Sequence, residues 1–270
     1  MLGELTAQGG GGLVALPFAL GLAAVASAGA YFAGDAVVLG TSRAREVSER
    51  DEPVLHHVVD ALAIGAGIPK PRLYVIEDTA PNAFATGRDP KHASVAVTRG
   101  LLAKLDRTEL EGVLAHELSH VRDEDTRLLL VVAVLLGMAA LLADWVLRAT
   151  WWGGGRRESR RGGGAGLIVL AGLLLAILAP LLAQAIRFAI SRQREYLADA
   201  AGALLTRYPP GLANALRKIA GDAEALEAAN KATAPLYFVN PLKDAPRFLD
   251  HLFDTHPPIE ERIRRLEAMD

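Results

Sequence analysis

The chain of 270 residues contains no cysteine, which excludes disulfide bonds and thiolate metal ligands. Any metal ion must therefore be bound through nitrogen and oxygen atoms. A strong excess of one charge is also lacking, because 29 Lys and Arg stand against 31 Asp and Glu. The net charge of −2 gives no support for a protein that binds nucleic acid. The sequence shows no internal repeat, and its length allows a substantial core in one or two domains.

Lys and Arg are absent before the first hydrophobic stretch, Leu13–Ala33, so this stretch lacks the basic start of a secretory signal. It carries no charge and is long enough to span a bilayer core, which takes about 20 apolar residues. We therefore predict a flexible, glycine-rich tail over residues 1–12 and a retained transmembrane anchor over residues 13–39.

Two further hydrophobic stretches, 128–147 and 167–186, contribute to the positive mean hydropathy of +0.23. Asp144 lies near the end of the first stretch, and Pro180 predicts a kink in the second. We predict that residues 128–186 form a hydrophobic helical hairpin that spans the membrane. Buried core helices, or a hairpin that only dips into the membrane, would show the same pattern.

Arginines around the first stretch predict its orientation. No Lys or Arg precedes the stretch, and three arginines follow it closely: Arg43, Arg45 and Arg50. Since positive residues favour the cytoplasmic side, we expect the N-terminus outside and the polar region from Thr41 onward in the cytoplasm. We also predict that the protein is a multi-pass protein of the cell (inner) membrane. Arginines flank the later stretches about equally on both sides, so their topology stays open.

The pentapeptide His116-Glu117-Leu118-Ser119-His120 carries the strongest chemical signal in the chain. Positions i and i+4 of a helix share one face, so two imidazoles at this spacing can bind one zinc ion at about 2.0–2.1 Å. Glu117 would lie beside the open position of the metal, where it can take a proton from a zinc-bound water. The pattern indicates a metallopeptidase centre. The alternative is a solvated helix with two surface histidines.

The residues around the pentapeptide place it in the middle of a helix. Asp106 and Glu109 have the spacing of a capping box, which marks the helix start. Apolar residues then follow at helical spacing: Leu110, Val113, Leu114, Leu118 and Val121. One side of this helix is therefore expected to be buried, which favours the zinc interpretation.

The remaining pattern predicts an α+β fold that is mostly helical, with a zincin-type metallopeptidase domain, a small β-sheet and transmembrane helices in addition. Strands are predicted at Arg72–Ile76 and Ser94–Thr98. Further helices are predicted over Glu52–Gly65, over Arg187–Leu205, over Leu212–Ala228 after a break at Tyr208–Gly211, and after Pro258.

A segment of small residues precedes the second predicted strand and ends in a turn signal at Gly87. Zinc peptidases commonly bind substrate as an extended strand against a sheet edge, where backbone hydrogen bonds give affinity with limited sequence preference. We predict that this segment is such an edge and binds substrate through Asn82, Ala83, Phe84 and Ala85. An ordinary structural strand is an equal alternative.

Two histidines do not complete a catalytic zinc site, which takes three protein ligands and a water. Glu195 is the best candidate for the third ligand. Glu195 and Asp199 are i and i+4 on one predicted helix, so one can bind the metal while the other supports a ligating histidine. A solvated helix face paired with neighbouring arginines is the alternative for this pair. The other candidates for the third ligand are His251 and His256.

The order of the segments is consistent with this site. The two hydrophobic stretches lie between the pentapeptide and Glu195. If both stretches cross the membrane, or neither does, Glu195 lies on the same side of the membrane as His116 and His120. A single crossing would separate the ligands. We therefore predict a metallopeptidase domain in two pieces, residues 41–127 and 187–270.

Four motifs in order carry a family resemblance: Asn82-Ala83-Phe84-Ala85-Thr86-Gly87, His116 to His120 with Asp125 following, Glu195 with Ala198-Asp199, and Thr255-His256-Pro257-Pro258 with Arg262. With them the chain resembles the HtpX family of membrane-anchored zinc metallopeptidases, relatives of the CAAX prenyl proteases, from about Tyr31 to the C-terminus. Members usually have two N-terminal spans, whereas this chain has room for one.

The resemblance implies one zinc ion per chain, with His116, His120 and Glu195 as ligands. It further implies that Glu117 is the catalytic base. His256 and Arg262 are implied to stabilise the tetrahedral intermediate.

The implied activity is that of a zinc endopeptidase in quality control of damaged or misfolded membrane proteins, with protein or peptide substrates and the lipid bilayer as partners. A processing protease of narrow specificity, of CAAX or signalling type, is one alternative. A non-catalytic zinc-binding membrane regulator is another.

Overall fold

The computed structural model describes residues 11–131, 191–222, 224, 226, 237–238 and 257–269, with some side chains of residues 11–30 left out. The predicted tail (1–12) and hydrophobic hairpin (128–186) therefore lie almost entirely outside the described residues. His251 and His256 also lie outside them.

The chain divides into two compact units. Of the smaller unit, Met1–Phe32 with Val131–Phe188, the structure describes mainly the first part of helix α1 (Gly11–Thr41), which covers the anchor predicted over 13–39. The larger unit comprises Ala33–Leu130 and Ala189–Asp270. Among the described residues, no helix is both long enough and apolar enough to cross a membrane.

A four-stranded mixed sheet lies in the larger unit, in the order β1-β2-β4-β3. Its strands are β1 (Arg45–Glu46), β2 (Arg72–Ile76), β3 (Ala83–Gly87) and β4 (Ala93–Thr98). Strands β2 and β4 are parallel, and the two outer pairs are antiparallel. The strands predicted at 72–76 and 94–98 are thus confirmed, and β3 is an edge strand.

Helices complete the larger unit and outnumber the strands, which confirms a mostly helical α+β fold with a small sheet. After α1 they are α2 (Pro53–Ala66), α3 (Arg99–Lys104), α4 (Arg107–Arg122), α5 (Arg192–Thr206), α6 (Pro209–Ala220) and α7 (Ile259–Glu267), with a short 3-10 turn at Pro90–His92. Residues 125–131 form the described part of a further helix.

Helix α4 lies at the centre of the larger unit, in contact with α2, α5, α6 and β3. It begins with the predicted capping box: the Asp106 carboxylate accepts from the Glu109 amide at 3.0 Å, and the Glu109 carboxylate accepts from the Asp106 amide at 2.8 Å. Nearly every residue from Leu110 to Val121 is buried. Because α4 is packed on all sides, its side chains are restricted by contacts with the neighbouring elements.

Two glycines allow neighbouring helices to approach the α4 backbone closely. A Cβ atom at Gly112 would lie 2.6 Å from the backbone nitrogen of Leu212 on α6. A Cβ atom at Gly202 on α5 would lie 3.0 Å from the backbone nitrogen of His116. Any larger residue at these positions would push α5 or α6 away from the helix that carries the pentapeptide.

Helix α6 differs from the helix predicted over Leu212–Ala228. The structure begins it at Pro209 and ends it at Ala220, before Gly221. The two prolines at 209 and 210 occupy the first turn, where a helix needs no backbone donor, so they start the helix and do not interrupt it.

Candidate metal centre

Three side chains from two helices converge in the larger unit. The Nε2 atoms of His116 and His120 on α4 are 3.1 Å apart. Glu195 in the first turn of α5 places its carboxylate oxygens 3.7 Å from His116 Nε2 and 3.6 Å from His120 Nε2. A tetrahedral zinc ion with ligands at about 2.0–2.1 Å keeps their donor atoms about 3.3 Å apart. The three residues therefore fit a zinc ion, and the group matches the predicted ligand set.

A carboxylate lies next to the ring nitrogen of His116 that faces away from His120 and Glu195. Its Nδ1 lies 2.9 Å from Asp199 Oδ1, and the imidazole is almost completely buried. Since the carboxylate accepts, Nδ1 carries the proton and Nε2 keeps its lone pair for the metal. The ring of Phe238 packs edge-on against the imidazole, with centroids 5.0 Å apart. Orientation and tautomer of His116 are thus both fixed by its neighbours.

Electrostatics keep this pair in the protonation states that metal binding needs. Burial lowers the pKa of His116 from 6.5 to about 4, against the opposing hydrogen bond to Asp199. Burial alone would raise the pKa of Asp199, but the charge of Arg262 and the hydrogen bond with His116 outweigh it and leave the pKa at about 2. At neutral pH the imidazole is therefore neutral and the carboxylate ionised.

Arg262 on α7 lies beside the ligands and is fully buried. It donates to Asp199 from Nε at 2.9 Å and from Nη2 at 2.7 Å. Its Nη1 lies 3.7 Å from Glu195 Oε2. The ring of Phe238 covers the guanidinium at 4.8 Å. Burial opposes the charged form, but the surrounding carboxylates raise the pKa of Arg262 above its usual value. The arginine thus supplies a permanent positive charge behind the centre.

Glu117 follows His116 on α4 and is buried, with only 3% of its surface exposed. Its charge acts on Arg262 together with those of Asp199 and Glu195. A carboxylate in this position can serve as a base next to a bound metal. His256, the other residue expected to act on the intermediate, lies outside the described residues.

His120 is the more accessible of the two histidines, with 15% of its side chain exposed. Its Nδ1 lies 2.8 Å from Asp125 Oδ2. Arg194, which precedes Glu195 on α5, forms an ion pair with the same aspartate. The sequence pattern includes Asp125 among the motif residues but assigns it no role.

The predicted substrate edge is the outer strand of the sheet. The backbone N–H and C=O groups of its residues point alternately toward β4 and away from it. The carbonyl of Asn82 accepts from the Thr98 amide at 3.0 Å, so Asn82 faces β4. Because antiparallel ladders alternate, Phe84 faces β4 as well, and the N–H and C=O groups of Ala83 and Ala85 point outward.

The outward groups of Ala83 are both occupied by the chain itself. Its carbonyl accepts from the Phe238 amide at 2.8 Å, and its amide donates to the Asn82 side chain at 3.0 Å. The ring of Tyr237 packs edge-on against Phe84, with centroids 5.0 Å apart. The dipeptide Tyr237-Phe238 therefore covers the start of the edge, a contact that no sequence signal predicts.

Comparison with known proteins shows similarity over most of the chain. The profile of "Peptidase family M48" matches residues 49–270. A "Protease HtpX homolog" of Dictyoglomus turgidum is 48% identical over 240 residues, which cover 89% of this chain and 77% of that protein. A protein of the same description from Thermoanaerobacter pseudethanolicus is 49% identical over 242 residues, covering 89% of this chain and 80% of that protein.

A solved structure shares the fold at low sequence identity. The crystal structure of S. mikatae Ste24p superposes with a TM-score of 0.56 at 16% identity. The match covers 93% of this chain and 58% of the Ste24p chain, so this chain spans less than two thirds of that structure. At this level of identity the likeness concerns the fold alone.

Proposed function

We propose that His116, His120 and Glu195 hold the catalytic zinc ion of this chain, which belongs to peptidase family M48 and is a zinc metalloprotease. The observation that carries the proposal is the convergence of these three donors at zinc spacing. Three protein ligands leave one coordination position for water or substrate. Zinc, when bound, supplies a Lewis acid that polarises the scissile carbonyl and activates water near neutral pH.

We propose Glu117 as the general base. It takes the proton of the attacking water and delivers it to the leaving amine, so that one carboxylate serves both proton transfers. Its burial in α4 keeps this carboxylate in a fixed position one residue from a ligand. Such proton transfers contribute roughly 10²–10⁴-fold to rate.

The stabilisation of the intermediate is proposed to come from Arg262 and His256. Arg262 is fully buried and its donors are directed at Asp199, Glu195 and the Phe238 carbonyl. Its positive charge would therefore stabilise negative charge that develops nearby in the intermediate. It would also keep the carboxylates of Asp199 and Glu195 in position. His256 is proposed as a direct donor to the oxyanion on the basis of the family resemblance.

We propose that substrate binds as an extended strand along β3, mainly through Ala85. Among the residues that the structure describes, none bonds the outward N–H and C=O of Ala85, so these two groups offer backbone hydrogen bonds to a substrate, whereas the Phe238 amide and the Asn82 side chain use those of Ala83. Asn82 and Phe84 would hold the strand in register with β4. Recognition through backbone groups makes few demands on the substrate side chains.

The location in the cell membrane is proposed from the sequence. The hydrophobic stretches at 13–39 and 128–186 would anchor the protein, and the domain formed by 41–127 and 187–270 would face the cytoplasm. A peptidase that is tethered to the bilayer and recognises backbone is suited to unfolded segments of many membrane proteins. We therefore propose quality control of damaged or misfolded membrane proteins as its role.

The test uses the full chain purified in detergent, with casein and a destabilised membrane protein as substrates. We expect cleavage of both, loss of cleavage after the metal is removed with a chelator, and recovery on addition of about one zinc per chain. A zinc-loaded protein that cleaves neither substrate would overturn the proposed role in quality control of misfolded membrane proteins. Cleavage of short prenylated peptides alone would instead indicate a processing enzyme of narrow specificity.

A further inference from the structure

A left-handed turn directly after the pentapeptide helix changes the direction of the chain. Helix α4 ends at Arg122, and Glu124 adopts φ = 57° before the next helix begins at residue 125. A non-glycine residue in this conformation costs roughly 1–2 kcal/mol. The sequence at this point contains neither glycine nor asparagine, the residues that adopt this conformation most easily. Contacts made by the neighbouring residues must therefore stabilise the turn.

The turn has one clear structural effect, which is to bring Asp125 back to His120. On an uninterrupted helix, five residues would rotate the side chain by about 140° away from His120. In the structure, Asp125 Oδ2 lies 2.8 Å from His120 Nδ1 and the aspartate is buried. Because an ionised carboxylate accepts, Nδ1 carries the proton and Nε2 is left to face the metal site.

Arg194 contacts the other carboxylate oxygen of Asp125. It forms an ion pair with Asp125 and is the residue directly before Glu195 on α5. The contact therefore joins the turn after α4 to the helix that supplies the third ligand. The other histidine has the same arrangement, in which Arg262 pairs with Asp199 and Asp199 supports His116. Each candidate zinc histidine is thus backed by its own arginine–aspartate pair.

We propose that Asp125, held by Arg194, is the positioning residue of His120. It fixes the tautomer and the ring orientation of this ligand and increases its basicity through a charge-assisted hydrogen bond. Asp125 touches neither substrate nor reacting atoms. The inference rests on the proposed function, because it assigns a role within the same zinc centre.

The test compares Asp125→Ala and Asp125→Asn with a control, Asp123→Ala. Asp123 lies in the same turn and has the same charge, but its carboxylate pairs with Arg122 at 2.9 Å. Zinc affinity is measured on the full chain in detergent by competition with a chelator. Loss of such a supporting hydrogen bond weakens metal binding by roughly 10–100-fold, which we expect for Asp125→Ala. Asp125→Asn keeps an oxygen acceptor and should fall in between, while Asp123→Ala should match the wild type.

A second readout separates positioning from general structure. At saturating zinc, we expect kcat of Asp125→Ala to fall while KM stays unchanged, because the substrate edge at β3 is not touched. Arg194→Ala should show the same pattern to a smaller degree, and Arg194→Lys should restore part of the affinity because it keeps a positive charge near Asp125.

Two results would overturn the inference. One is zinc binding by Asp125→Ala within about threefold of the wild type, against the roughly 10–100-fold expected. The other is an equal loss in Asp125→Ala and Asp123→Ala, which would assign the effect to the turn itself. Failure of the proposed function would look different, because the wild-type protein itself would then bind no zinc or cleave nothing.

Discussion

Arg262 and Asp199 form a bidentate ion pair, at 2.9 and 2.7 Å, in which both side chains are buried. The pair connects α7, at the C-terminal end of the chain, to the helix that carries Glu195 and to His116. Its consequence is that the position of the proposed metal ligands depends on a residue far away in sequence. A buried pair of this kind is costly to break, because removing one partner leaves the other charge without compensation.

The first prediction concerns that pair. Arg262→Met keeps most of the side-chain volume but leaves Asp199 buried without its main partner. We expect the free energy of unfolding, measured by denaturant titration, to fall by about 3–5 kcal/mol. The double variant Arg262→Met with Asp199→Asn should recover part of this loss, because no unpaired charge remains. Equal free energies of unfolding for Arg262→Met and the wild type would contradict the stabilising role of this ion pair.

The second prediction concerns the pH dependence of stability in the metal-free protein. The pKa of His116 is about 4 in the folded state and 6.5 as the reference for the unfolded chain. Between these values the unfolded chain binds more protons, so the free energy of unfolding should rise with pH and level off above about 6.5. The size of the rise is on the order of 3 kcal/mol.

The control for this pH profile is His116→Gln, which removes the titrating group. In this variant, the free energy of unfolding should rise much less between pH 4 and 6.5 than it does in the wild type. The depressed pKa of Asp199, about 2, also makes stability rise with pH, but in a lower window below the reference value of 3.8. The two contributions are therefore separable, and an unchanged slope in His116→Gln would contradict the assignment.

The third prediction concerns the close approach of α6 to α4. In Gly112→Ala the new Cβ would lie 2.6 Å from the backbone nitrogen of Leu212, which cannot move without the whole helix. We expect a loss of about 1–3 kcal/mol in the free energy of unfolding. Gly221→Ala is the matched control, because its Cβ would meet its nearest atom at 3.4 Å, an ordinary contact. If both variants have the same free energy of unfolding as the wild type, the packing described for α4 is wrong.

The fourth prediction concerns the proposed substrate edge at β3. Ala85→Pro removes an amide that points away from β4, so the sheet keeps its ladder while the substrate loses one donor. One such hydrogen bond is worth roughly 1 kcal/mol, so kcat/KM should fall about five- to tenfold with zinc content unchanged. Ala85→Ser retains the amide and should remain close to wild type. Equal kcat/KM in the two variants would argue against pairing at this position.

Much of the site could be predicted from sequence because its signals are local. The capping box of Asp106 and Glu109 marks the start of α4, and the spacing of His116 and His120 on that helix is enough to define a shared face. The pairing of Glu195 with Asp199 follows from the same helical spacing, and the structure places them on the two sides of His116. The edge position of β3 also follows the prediction.

Other parts depend on contacts that sequence does not reveal. Glu124 shows no preference for a left-handed turn, so nothing in the sequence brings Asp125 back to His120. The sequence likewise gives no sign that Phe238 donates to Ala83 and covers Arg262, because this contact joins distant segments. The start of α6 differs from its predicted position for another reason, since prolines both break helices and begin them.

Zinc content and cleavage, measured together in Glu117→Gln, test the proposed mechanism. The substitution keeps the size of the side chain and leaves the three proposed ligands in place, but it removes the base. We predict about one zinc per chain, as in the wild type, with a loss of roughly 10²–10⁴-fold or more in kcat on casein. Substantial cleavage by zinc-loaded Glu117→Gln would contradict the assignment of Glu117 as the base, and with it the proposed mechanism.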